Sequence, residues 1–173
     1  MGRSQGLTLV EMLCAVALAG LVAAMAAPSF ATALSGARRT GAVNDLLHAV
    51  HLARAAAAEA GRPAVLCPGS GNCGDGAGWN GAYLVFIDAD RDDPPARDDG
   101  ERIVLRGGAA RGFTRHANRE AFVFEPTGRS GTTGTLVVCD ATGRVPPHAV
   151  IVSRTGRPRA SAEDASGRPL RCP

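Results

Sequence analysis

The 173-residue chain has no lysine; its 19 Lys-or-Arg positions are all arginine. That excludes a P-loop, whose lysine reaches the phosphates, and any Schiff-base or Ser–Lys chemistry. Aromatic residues are also sparse, at 4%, with one Trp and one Tyr. Charge is modest: 20% charged residues against 45% apolar ones, a composition unlike that of a disordered chain. The length favours one domain, or one domain plus an appendage. A net charge of +3 is too small to argue for nucleic acid by itself, so its distribution matters more.

What is present starts at the N-terminus. Met1 to Gly6 is polar, with one Arg and no acid. Leu7 to Ala27 then runs for 21 residues that are apolar except for Thr8 and Glu11, with one Gly. About 20 apolar residues cross a bilayer core. A secretory signal has a shorter apolar region, about 7–15 residues, before a small-residue cut site. Ala24-Met25-Ala26 could serve as such a site, but the length favours an uncleaved membrane helix with Arg3 on the cytoplasmic side. Glu11 is the anomaly, since a carboxylate inside a membrane segment costs roughly 2.5–3.5 kcal/mol. Either it stays wet near the interface or it pairs with a cation from another subunit.

The helix is expected to continue. Pro28 predicts a kink, and Gly36 and Gly41 weaken the next turns. Val43, Leu46, Leu47, Val50 and Arg54 then fall at helical spacing, and an Ala run at 55–58 favours helix. Gly61 and Pro63 form a stop signal, so the helix spans about residues 7–60. His48 and His51 lie three apart on it, but no Cys, Asp or Glu completes a metal set nearby. Beyond it, short apolar runs at 63–67, 81–88, 101–106, 120–125, 135–139 and 148–153 are separated by Gly, Pro and Asp. That pattern predicts antiparallel sheet, and with the one long helix an α+β arrangement.

Several chemical sites fail on their spacing. Asp88, Asp90 and Asp92 open like a calcium loop, but Asp93 stands where Gly is needed and Asp99 where Glu is needed. They read as a solvated acidic turn with Pro94 and Pro95. Gly128-Arg129-Ser130-Gly131 is not a nucleophile elbow and fits a hairpin turn better. Nothing points to catalysis, to a cofactor or to a metal.

Gly6-Leu7-Thr8-Leu9-Val10-Glu11 resembles the class III signal of type IV pilins and type II secretion pseudopilins, with Leu where the first mature residue is usually Phe. The resemblance implies that a prepilin peptidase cuts between Gly6 and Leu7 and that the Leu7 amine is N-methylated. It further implies that Glu11 pairs with the N-terminal amine of a neighbouring subunit. Pro28 stands where pilins commonly carry a kinking proline. Four of the five cysteines, Cys67, Cys73, Cys139 and Cys172, fall in the part that would be exported, where disulfides form; Cys14 lies in the apolar segment. Four cysteines allow three connectivities and sequence alone does not choose. The expectation is Cys67–Cys73 and Cys139–Cys172; zinc, the rival, lacks C-x-x-C spacing.

Further motifs follow in order: Cys67-Pro68, Trp79 with Gly81, Val85 to Asp88, Phe124 to Gly128, Cys139 and Gly156-Arg157. Together they resemble the GspH/FimT group, although the loop from Arg91 to Gly100 is long and acidic. That group contains minor pseudopilins of type II secretion and minor pilins of type IV pili. Some of the pilins bind DNA through a C-terminal G-R-x-R motif, which Gly156-Arg157-Pro158-Arg159 matches. The charge distribution bears on this reading. From Pro126 to Pro173 there are seven Arg and three acids, net +4; from Gly81 to Glu101 there are seven acids and two Arg, net −5. A basic tail is the footprint of phosphate binding, and Arg clasps phosphate with two donors. Pro158 stiffens an extended segment that carries both Arg157 and Arg159. With no aromatic residue in the tail, base stacking is not expected. Three to five engaged Arg would give a log–log salt slope of roughly −3 to −4.5. Alternatively, the Arg residues pair with Asp92, Asp93, Asp98 or Asp99.

The expectation is therefore a pilin-like α+β subunit: a long, partly transmembrane N-terminal helix packed on a small, disulfide-stapled antiparallel β head. Residues 1–6 would be the leader, 7–27 the transmembrane half of the helix, 28–61 its amphipathic half and 62–173 a periplasmic head. The subunit would sit in the inner membrane, single-pass, and then in a filament with other pilin or pseudopilin subunits. Double-stranded DNA would be met by Arg154, Gly156, Arg157, Arg159, Arg168 and Arg171. The alternatives are a GspH-type secretion pseudopilin with no DNA role, and a periplasmic β domain behind an ordinary anchor.

Overall fold

The computed structural model describes residues 8–76, 78–128 and 131–172, with the backbone alone at 26–28. Helix α1 spans Leu9–Ala60, 52 residues, or about 78 Å at 1.5 Å per residue. Thr8 caps its start, its hydroxyl oxygen accepting from the Glu11 N–H at 3.3 Å. Gly61 ends it at φ 64, a left-handed conformation that suits glycine. The helix runs unbroken through Gly36 and Gly41. Segments Leu9–Met25 and Ser29–Ala60 are bent by 41°, where the sequence predicts the Pro28 kink. Among the described residues no single straight helical segment is long and apolar enough to cross a membrane, but this bent pair meets that test by length and composition.

The two halves of α1 differ in what surrounds them. Leu9, Val10, Leu13, Val16, Leu18, Leu21, Val22 and Phe30 are exposed. From Ala42 onward one stripe is buried: Val43, Leu46, Ala49, Val50, Ala53, Ala56 and Ala57. Leu47 packs at its margin. The small alanines let the helix backbone approach the strands closely while Val and Leu fill the spaces between.

Eight strands follow: β1 Ala64–Pro68, β2 Tyr83–Ile87, β3 Ile103–Gly107, β4 Phe113–Ala117, β5 Phe122–Phe124, β6 Gly134–Asp140, β7 His148–Val152 and β8 Pro158–Ser161. They form two four-stranded antiparallel sheets, ordered β3-β2-β1-β5 and β4-β6-β7-β8. The expected antiparallel β head is thus built from two sheets. Two strands were not predicted from the sequence. β4 (FTRHA) carries charge at its centre, and β8 (PRAS) begins with proline and has little apolar content.

One core joins α1 to both sheets through Leu66, Val85, Phe122, Phe124, Leu136, Val138, Val150 and Val152. Trp79, in a 3-10 turn at Gly78–Asn80, sets its ring edge-on to Phe122 at 5.8 Å and donates from Nε1 to the Arg119 carbonyl at 2.8 Å. The outer face of the first sheet buries Val65, Cys67, Leu84 and Phe86 in a second cluster. Strands β1 and β2 are therefore buried on both faces, which is why AVLCP and YLVFI read as continuous apolar runs rather than alternating ones.

Candidate nucleic-acid interface

The G-R-P-R segment lies at the turn between β7 and β8. The Gly156 N–H donates to the Ser153 carbonyl at 2.8 Å, and the Ser153 N–H to the Arg157 carbonyl at 3.1 Å. Gly156 is buried with φ 70, a conformation other residues adopt only with strain. Strand β8 then pairs with β7 in the register Ile151↔Arg159 and Val152↔Pro158. Val152 belongs to the core, so Pro158, opposite it, lies on the inner face. Arg159 shares the opposite face with Ile151, because successive strand residues alternate. β8 is an edge strand, with a proline that cannot donate to a ladder at its start.

Arg154, Arg157, Arg159 and Arg171 are exposed. Among the described residues, their side chains make no hydrogen bond or ion pair, with Asp92, Asp93, Asp98, Asp99 or any other group. Arg168 is different. Its guanidinium meets the Asp164 carboxylate at 2.9 Å, and its backbone N–H also donates to Asp164 at 2.9 Å. The Arg168 N–H, followed by those of neighbouring donors, holds the Asp164 carboxyl below its ordinary value. Arg168 is thus engaged within its own turn.

Glu11 lies in the exposed first turn of α1, where a carboxylate also favours the positive end of the helix dipole. Gly6 and Leu7 lie outside the described residues, as do Arg129 and Ser130 of the expected hairpin turn. His48 and His51 are exposed on α1. Cys67 joins Cys73, and Cys139 joins Cys172, with Cα separations of 5.4 and 5.9 Å. Cys14 is a free, exposed thiol.

The acidic loop corrects one expectation, because part of it is not solvated. Asp88 is 2% exposed and Glu101 8%. Glu101 accepts from the N–H groups of Ala89 at 2.5 Å and Asp98 at 3.1 Å, and Asp88 from that of Arg91 at 2.6 Å. Burial pushes the Asp88 carboxyl above its usual range. Asp88, Asp90 and Glu101 bring carboxylate oxygens within 4.8 Å of one another. Asp92 instead accepts from the Ala96 N–H at 3.0–3.1 Å. These acids serve mainly to fold their own loop.

Residues 42–156 match the family model for type II transport protein GspH. This chain belongs to the GspH family. The prokaryotic N-terminal methylation motif matches residues 1–27 and implies a membrane-anchored pilin-type subunit. The GspH-family chain is thus a minor pilin or pseudopilin, of a type IV pilus or a type II secretion filament. Two crystal structures of the type IV minor pilin FimU from Pseudomonas aeruginosa strain PAO1 share its fold. The one in space group P65 has 14% identity and a TM-score of 0.53, covering 70% of this chain and 91% of FimU. The one in P21 has 17% identity and a TM-score of 0.54, covering 77% and 93%. No curated protein sequence matches the chain.

Proposed function

We propose that this GspH-family subunit acts as a FimT-like minor pilin that binds duplex DNA without sequence preference during uptake. Its chemistry is assembly and not catalysis. In this reading a prepilin peptidase cuts between Gly6 and Leu7, and Leu7 is methylated. The single-pass helix holds the chain in the inner membrane with its head in the periplasm, until it joins other pilin subunits in a filament.

The observation that carries the DNA reading is that Arg157 and Arg159, at the start of an edge strand, have no acidic partner among the described residues. Unpaired guanidiniums on an exposed edge are free to release counterions from a phosphate backbone. The other reading, a secretion pseudopilin with no nucleic-acid role, is favoured by the family model's own description as a type II transport protein.

Fluorescence anisotropy separates the two. The full-length chain in neutral detergent is titrated onto unrelated labelled duplexes at several salt concentrations, beside an Arg157→Ala/Arg159→Ala variant. Sequence-independent binding that falls with salt and drops in the variant supports DNA uptake. No binding at low salt, or binding unchanged in the variant, overturns the site and favours secretion.

A further inference from the structure

Four arginines in the described residues have a buried Nε with no hydrogen-bond partner: Arg39, Arg54, Arg97 and Arg115. Three of them donate to backbone carbonyls through at least one terminal nitrogen. Arg39 donates to the Pro146 carbonyl, Arg97 to those of Gly71 and Glu101, and Arg115 to those of Gly81 and Gly108. Among the described residues, the Arg54 guanidinium makes no hydrogen bond or ion pair.

Its position is specific. Arg54 stands on α1 between Ala53 and the buried pair Ala56 and Ala57, and it reaches the β7–β8 turn. A Cβ added to Gly156 would lie 3.0 Å from Arg54 Nε and 3.3 Å from its Cδ. The carbonyl of Gly128, from the β5–β6 connection, lies 3.4 Å from the same point. Helix α1, through Arg54, and the Phe124–Gly128 motif therefore both close on the same side of Gly156. Glu125, the acid of that connection, is paired with Arg91 at 3.8 Å.

A guanidinium without acceptors is costly where it is half-buried, and more so beside a turn that carries Arg154 and Arg157. An incoming anion removes both penalties. Residue 54 lies about 40 Å along the helix beyond Ala27, past the headgroups of a membrane holding the apolar half. That puts the headgroups of that membrane out of reach, and the phosphate source taken here is a nucleic-acid backbone.

We propose that Arg54 is a further phosphate-contacting residue of the DNA surface, supplied by α1 beside the Gly156 turn. This rests on the DNA-binding reading above and extends it to a residue outside the C-terminal motif.

The test uses full-length chain in neutral detergent, a labelled duplex of random sequence and a salt series. The variants are Arg54→Gln, Arg54→Lys and Arg157→Ala/Arg159→Ala, each checked by thermal unfolding. Arg54→Gln should weaken binding about fivefold at low salt, the scale of one exposed charge pair, and make the log–log slope shallower by about 0.9, one phosphate contact. Arg54→Lys should keep the slope. Unchanged binding in Arg54→Gln overturns the inference. So does weaker binding with an unchanged slope, which would mark a residue that only supports the turn. Either result, with the Arg157/Arg159 variant still defective, leaves the DNA reading standing. Absence of wild-type binding removes both.

Discussion

The ring of Tyr83 occupies the space that a Cβ on Gly107 would need. The two residues are cross-strand partners on β2 and β3, and the Arg115 guanidinium lies 5.0 Å from the centroid of the same ring. The stack of glycine, tyrosine and arginine closes one end of the core where β3 has no side chain to offer. Burial pushes the Tyr83 phenol up and the Arg115 guanidinium down. Gly107→Ala should destabilise the head by about 1–3 kcal/mol, as overpacking does. Gly108→Ala is the control, because nothing lies within 4 Å of its added methyl. Urea unfolding followed by tryptophan fluorescence compares them; equal midpoints would show that the ring yields freely.

The two disulfides should differ in worth. They close chain segments with sequence separations of 6 and 33 residues. Loop-closure entropy then assigns about 2 kcal/mol to Cys67–Cys73 and about 3.5 kcal/mol to Cys139–Cys172. Paired Cys→Ser variants, compared by denaturant unfolding, should differ by about 1.5 kcal/mol in that order. Equal losses would mean that the bridges act through native packing and not through the unfolded chain.

Asp75 organises the loop after β1. Its carboxylate accepts from the backbone N–H groups of Ser70, Gly71 and Asn72 at 2.5–3.0 Å. Those bonds, the one from Asn72 foremost, lower its pKa from the ordinary 3.8. A depressed carboxyl stabilises the fold fully above the unfolded value and loses that contribution as pH falls through the folded one. Wild type should therefore exceed Asp75→Asn in stability at pH 5–7, and the gap should close below about pH 4. Unfolding midpoints across that range check this, and a gap independent of pH would contradict it.

Glu11→Val tests the register role implied by the pilin signal. The variant should insert normally, since it removes a membrane carboxylate worth roughly 2.5–3.5 kcal/mol, yet fail to enter filaments. Incorporation at wild-type levels would assign Glu11 only to the Thr8-capped start of the helix.

The long helix was legible because its signals agree: an apolar run, a Val/Leu stripe at helical spacing, alanine, then Gly61 and Pro63; the Thr8 cap at its start came from the structure. So were β1, β2, β3, β5, β6 and β7, whose apolar runs stand between turn residues. β4 was not, because its central residue is Arg115, whose charge is satisfied by the carbonyls of Gly81 and Gly108 from distant segments. β8 read only as an extended stretch, since an edge strand needs no apolar face. Asp88 read as solvated because its burial under the acidic loop depends on how residues 89–101 fold back. Arg54 sat in the predicted helix stripe without distinction; what separates it from other arginines is a buried Nε on a guanidinium that has no partner among the described residues, and no local pattern encodes that.

The helix is also the mechanical member of the molecule. Its second half packs on strands of both sheets, which share no strand pairing, so a tug along the apolar stem reaches both through the one core that holds Leu46, Ala49, Val50 and Ala53. Pulling the stem free would shear the whole core instead of peeling one strand at a time. Such a head should give way abruptly, at high load, rather than stretch.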